Sequence, residues 1–130
     1  MRKLHNPGMA SPPFGRYSNG VEVGARARWL HVSGQVGADP KGGLPPDFEG
    51  QAGNAWRNVI AVLESAGMTV EDLVKITVYI TRPGDVAAYR AVRDRMIGEA
   101  RPASTLVVVS GLADPRWLIE IEAIAADSRV

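Results

Sequence analysis

Near the end of the chain, Ile119-Glu120-Ile121-Glu122-Ala123-Ile124 alternates apolar and acidic residues. Successive side chains of a strand point to opposite faces, so Glu120 and Glu122 share one face and Ile119 and Ile121 the other. Two carboxylates side by side on an otherwise apolar strand are equipped for proton transfer. If both were close and buried, repulsion would raise one pKa and make that group a proton carrier. The other chemistry-bearing types are sparse. Ser104 and Thr105 are hydroxyls with no neighbouring base, which argues against a nucleophile. His31 shares a strand face with Trp29 and Ser33 and reads as a sheet histidine rather than a base.

Composition narrows the field. The chain has 130 residues, 45% of them hydrophobic, with 22% charged and a formal net charge of +1. That suits one domain with a real core, and it offers no electrostatic case for nucleic acid or membrane. There is no cysteine, hence no disulfide, thiol nucleophile or thiolate metal site. Two histidines are too few for a His-rich metal site, and no metal is expected. No run of apolar residues reaches the length of a signal peptide or a membrane span, so the expected location is the cytoplasm.

These residues need elements to position them. Residues 1–13 are rich in turn formers and are expected to form a coil. Gly20–Val23 and Arg28–Val36 are short apolar runs that read as a hairpin with each other. After a Gly- and Pro-rich loop, Ala52, Trp56, Val59, Ile60 and Leu63 keep a 3.6-residue period, with Asp47 as N-cap and Gly67 as stop. Thr69 to Asp72 has the form of a capping box. The strand "LVKITVYIT" then puts Leu73, Lys75, Thr77 and Tyr79 on one face and Val74, Ile76, Val78 and Ile80 on the other. A second helix places Val86, Tyr89, Val92, Arg93, Met96 and Ile97 on one stripe and ends at Gly98. Strands Ser104–Val109 and Trp117–Ala125 complete the order β-β-α-β-α-β-β. This is an α+β layer: one mostly antiparallel sheet with two helices on one face. Residues 106–109 are apolar on both faces of their strand. Covering the face that the helices leave bare calls for an oligomer, and a symmetric ring would do it.

In this order, "FGRYSNGVEVG", "RWLHVSGQVG", "NVIAVLESAG", "EDLVKITVYIT", "RPAST" and "IEIEAIA" resemble the Rid (YjgF) family of reactive-intermediate deaminases, from about Pro13 to Ala125. The resemblance implies a chorismate-mutase-like protomer and a homotrimer with small-molecule pockets in the clefts between subunits. It implies hydrolysis of 2-imino acids or their enamine tautomers to 2-keto acids and ammonia, without metal or organic cofactor.

The resemblance also assigns residues. Tyr17 matches the pocket tyrosine, Ser33 and Gly34 the "SGQ" motif, and Glu120 the carboxylate that handles the attacking water. Hydrolysing a C=N bond needs water delivered to carbon and a proton to nitrogen, and one positioned carboxylate can serve both. Glu122 reads as its structural partner. The deaminating branch has Pro-Ala-Arg-Ser where this chain has Pro102-Ala103-Ser104-Thr105. A guanidinium matches a carboxylate through two parallel N–H donors, and a hydroxyl does not replace it. Ser104 therefore points to a substrate other than the usual 2-imino acids. Arg90, on the second helix, is the candidate replacement cation. Ser104 and Thr105 remain pocket candidates. Two other functions are weighed: a trimer that binds a small molecule or a protein without turnover, and a ribonuclease. The near-zero charge and the lack of a histidine pair argue against the ribonuclease.

Overall fold

The structure is a computed structural model describing residues 1–129. Helix α1, Phe48–Ser65, starts where the Asp47 carboxylate accepts the Gly50 amide at 3.0 Å, the expected cap. Of its apolar stripe, Ala52, Trp56, Val59 and Leu63 are fully buried and Ile60 is half-buried. The chain leaves the helix through Gly67 at φ 70°, a conformation that favours glycine. Thr69 and Asp72 do form a reciprocal capping box, around a single 3-10 turn. A second 3-10 turn, Pro83–Asp85, leads into helix α2, Val86–Ile97, which stops at Gly98 with φ 56°.

The strands pair differently from the expected hairpin. Residues 2–5 are not coil: Arg2–His5 forms β1 and pairs antiparallel with β2, Gly20–Val23, as a separate two-stranded sheet. Strand β3, Arg28–Val36, pairs instead with β6, Ile119–Asp127. With β4, Leu73–Ile80, and β5, Ala103–Val108, they form one four-stranded sheet in the order β3-β6-β4-β5. Two of its three pairings are antiparallel; β4–β5 is parallel, as a strand–helix–strand crossover through α2 requires. There are thus two sheets rather than one, and one strand more than the sequence reading counted.

Both helices cover the same face of the larger sheet. Val32, Ile76, Val78, Ile80, Ile119, Ile121 and Ala123 meet Trp56, Val59, Tyr89 and Val92 in a continuous core. Burying each large side chain contributes about 1.5–3 kcal/mol before entropy. One facing assignment differs. Leu73 is fully buried although Lys75 and Thr77 are not. The β4–β6 register slips between Leu73 and Lys75, so an extra residue there reverses the alternation. The opposite sheet face carries Lys75, Thr77, Tyr79, Thr105, Val107, Glu120 and Glu122, and no helix among the described residues packs over it.

Candidate functional site

Strand β6 sits between β3 and β4, so its two carboxylates stand among groups from both neighbours. Glu120 is level with Tyr79 on one side and Val36 on the other, and Glu122 is level with Thr77. The β3–β6 register slips by one between Val32 and Gln35, which sets both Ser33 and Gly34 opposite Glu122. At this bulge the absence of a side chain matters. A Cβ on Gly34 would lie 1.9 Å from Glu120 Oε2 and 2.8 Å from its Cδ, so the Glu120 carboxylate occupies space that only glycine leaves open. The Tyr79 hydroxyl donates to Glu122 Oε1. That bond, more than any burial, raises the Tyr79 pKa above its ordinary value, and both carboxylates add to the effect. Glu122 is therefore oriented by a phenol while Glu120 stands beside it under Gly34. Leu112 closes this shallow cleft of about 290 Å³.

The cation on this face is Lys75, and it pairs with neither carboxylate among the described residues. Its Nζ donates to Thr105 Oγ1 at 2.6 Å. Thr105, Thr77 and Glu122 lie in one row across the sheet.

The other candidates gather on the helix side. Ser104 is level with Ile76, a core residue, and therefore faces α2 rather than the carboxylates. A cavity of about 340 Å³ opens there between β5, α2 and the loop before β2, lined by Tyr17, Arg90 and Ser104 together with Phe14, Tyr89 and Arg93. The Tyr17 hydroxyl accepts the Phe14 amide at 2.9 Å, which holds the loop over the cavity. The structure thus brings Tyr17, Arg90 and Ser104 together. It brings Glu120 together with Gly34, sets Ser33 opposite Glu122, and puts Thr105 on that same face. Within one chain these two groups lie on opposite faces of the sheet.

Arg93 was not singled out as a site residue by the sequence reading, which placed it on the helical stripe. It is only 5% exposed. Its Nε and Nη2 donate to Asp94 Oδ1 at 3.0 and 2.9 Å. A Cβ on Gly15 would come within 3.0 Å of Nη2, so the guanidinium is tucked beneath the glycine of the Tyr17 loop. Its position on the otherwise apolar stripe of α2 was the available signal. Arg101, close to Ser104 in sequence, serves elsewhere: it donates to the carbonyls of Gly98 and Ala100 at the end of α2. Beneath the cavity, Tyr89 OH and Trp56 Nε1 are buried without hydrogen-bond partners among the described residues, and burial pushes the Tyr89 pKa up.

Two helices on one face of a mixed four-stranded sheet, with carboxylates aligned on the other, define an α+β protein. The structure matches that of YyfB from Yersinia pestis, a protein of unknown function of the conserved Rid family. The TM-score is 0.84 at 35% identity, over 95% of this chain and 97% of that one. Residues 8–127 match the family described as Endoribonuclease L-PSP. The chain belongs to that family, also called YjgF/Rid. Among its relatives is a RutC family protein of Pyrococcus horikoshii, 38% identical over 118 residues, 89% of this chain and 90% of the relative. Another is the 2-iminobutanoate/2-iminopropanoate deaminase of Salmonella typhimurium, 37% identical over 121 residues, covering 89% and 91%.

Proposed function

We propose that the protein is a hydrolytic deaminase of reactive imines or enamines, acting as a cytoplasmic homotrimer in clefts between its subunits. The observation that carries this reading is Glu120, whose carboxylate fills the space left by Gly34 on a sheet face that its own chain leaves bare. The name of the Salmonella relative supports the reaction class. Glu120 takes a proton from water as the hydroxide adds to the imine carbon, and the C=N bond becomes a C–N single bond as its nitrogen gains a proton. A second proton to nitrogen lets ammonia leave while the oxygen loses its proton and C=O forms. The sum is R₂C=NH + H₂O → R₂C=O + NH₃, and one carboxylate shuttles each proton. An enamine enters after tautomerising to the imine.

The opposed positions of the two residue groups support the subunit cleft. One small molecule can touch both Ser104 and Glu120 only if a second copy lays its carboxylate face against the Tyr17 cavity. In this reading Ser33 lines the carboxylate side, and Thr105 contributes through its bond to Lys75. A ring of three 13.9 kDa chains would weigh about 42 kDa, which light scattering reads directly.

The test of turnover uses 2-iminobutyrate formed in situ, with semicarbazide as competing trap. Because Ser104 stands where the deaminating branch has arginine, the native chain should hydrolyse it weakly. Ser104→Arg should raise the rate, and adding Glu120→Gln should abolish it. If Ser104→Arg stays trimeric and neither it nor the native chain hydrolyses any imine, the enzyme reading fails. A binding protein without turnover would then be the better account.

A further inference from the structure

We infer that Asp94 is a positioning residue: by holding Arg93 and Arg16 together it clasps the turn of Gly15, Arg16 and Tyr17 to helix α2, and so sets Tyr17 in the wall of the cavity. The clasp is made of contacts within one chain, and the use made of Tyr17 rests on the deaminase reading.

The turn has little apolar packing to hold it. Phe14, which leads into it, is 73% exposed, so burial contributes little there. Inside the turn the Tyr17 amide donates to the Gly15 carbonyl at 2.9 Å, and the Phe14 amide to the Tyr17 hydroxyl at 2.9 Å. Those bonds shape the turn without fastening it to the rest of the fold. On its far side Ser18 is fastened. It is buried, its amide donates to the Pro102 carbonyl at 3.0 Å, and its hydroxyl donates to the Arg101 carbonyl at 2.7 Å. On the near side the fastening comes from α2. Arg16 donates to the Gly98 carbonyl at 3.1 Å, and its Nε lies 3.6 Å from Asp94 Oδ2. The other oxygen of Asp94, Oδ1, accepts Nε and Nη2 of Arg93 at 3.0 and 2.9 Å. Gly15 rests on that same guanidinium, where a Cβ would come within 3.0 Å of Nη2.

Burial decides which of these contacts matters. The side chains of Arg16 and Asp94 are 41% and 35% exposed, and such an ion pair contributes little by itself. Arg93 is different. Its side chain is 6% exposed, and a guanidinium removed from water needs a partner. Asp94 is the carboxylate that pairs with it. Arg93 therefore pins Asp94, and a pinned carboxylate offers Arg16 a fixed partner. The side-chain freedom that usually weakens a surface pair is already lost on one side of this one. Tyr17 gains from that order. Its hydroxyl accepts from the Phe14 amide and keeps its own proton to donate into the cavity, which it lines together with Ser104. A donor placed this way serves a bound molecule only while the turn holds still. Asp94 is not among the residues lining the cavity, so it acts through Tyr17.

Hydrogen exchange on the whole protein reads the clasp directly. The Tyr17 amide is bonded within the turn and the Ser18 amide to Pro102, so the two report separately. In Asp94→Asn the protection of the Tyr17 amide should fall about ten- to a hundred-fold, the effect of losing a charge-assisted contact. The Ser18 amide should keep its protection, and the urea midpoint should move little. Asp94→Glu retains the carboxylate and should recover part of the loss. Arg16→Gln, at a half-exposed position, should also expose the Tyr17 amide, and it keeps the test open if Asp94→Asn does not fold. Turnover then asks whether the clasp serves the site. With 2-iminobutyrate in the Ser104→Arg background, Asp94→Asn should raise KM about ten-fold and leave kcat nearly unchanged, because Glu120 is untouched. In a Tyr17→Phe background the same substitution should cost nothing further. Unchanged Tyr17 protection in both Asp94→Asn and Arg16→Gln would overturn the proposal. So would equal losses at Tyr17 and Ser18, which mark general loosening, or a native KM in a chain whose Tyr17 amide is exposed. Absence of imine turnover in the Ser104→Arg chain would sink the deaminase reading alone, and the exchange rates would still decide the clasp.

Discussion

Adding one methyl group at Gly34 would test whether Glu120 does the chemistry. In Gly34→Ala the new Cβ would lie 1.9 Å from Glu120 Oε2, 2.8 Å from Cδ and 3.1 Å from Cγ, where ordinary contact begins at 3.4 Å. The carboxylate must therefore retreat by about 1.5 Å or rotate away. A misplacement of about 1 Å in a reacting group costs about a hundred-fold in rate. The fold should tolerate the change, because what obstructs the methyl is the end of a half-buried side chain on an open face. The stability loss should stay within about 1 kcal/mol. The assay is hydrolysis of 2-iminobutyrate in the Ser104→Arg background, with urea unfolding of the same samples. We expect a loss of about a hundred-fold with a nearly unchanged midpoint. A double-mutant cycle sharpens the result. If Gly34 acts only through Glu120, Gly34→Ala should cost nothing further once Glu120→Gln is present. Full activity in Gly34→Ala, or losses that add in the double mutant, would refute the reasoning.

A contrasting glycine should report on stability rather than rate. A Cβ on Gly37 would come within 2.5 Å of Gln51 Cα and 2.6 Å of its carbonyl oxygen, so the backbone of α1 itself would have to move. Gly37→Ala should destabilise by about 1–3 kcal/mol in urea unfolding, whereas Gly84→Ala, with nothing nearby, should change little. Acid should act through two aspartates. Hydrogen bonds from Arg116 and Arg129 hold the Asp114 and Asp127 carboxyls down at about 2, below their ordinary 3.8. A depressed folded pKa means that the unfolded chain binds these protons first. The stabilisation is full above about pH 4 and is lost as pH falls towards 2. Asp127→Asn should be less stable than the native chain above that window and lose less across it, as urea midpoints from pH 2 to 6 would show.

The elements legible in the sequence were those specified by short-range physics. Periodicity located α1 and α2, the Asp47 cap and the Thr69–Asp72 box were visible in residue types alone, and alternation set Glu120 and Glu122 on one face. What was not legible depended on partners far along the chain. Gly20–Val23 and Arg28–Val36 look like a hairpin because they are adjacent, yet their partners are Arg2–His5 and Ile119–Asp127. Nothing local distinguishes those pairings. The bulge before Lys75 was hidden for a related reason. An extra residue in one strand shows only against the register of its neighbour, and it moved Leu73 from the open face into the core.

The site followed the same division. The resemblance pointed to Tyr17, Gly34 and Glu120, and local pattern could not show that the sheet separates Tyr17 from the other two. Arg93 is the instructive miss. Helical periodicity correctly put it on the buried stripe with Tyr89, Val92 and Ile97. A guanidinium on such a stripe conflicts with the rule that charges stay wet unless paired. The sequence reading took Arg90, not Arg93, as the candidate cation on this helix. Taken seriously, the conflict connects two observations that composition treats separately. An arginine is absent from β5 at Ser104, and a buried arginine is present on the helix that faces it across the cavity.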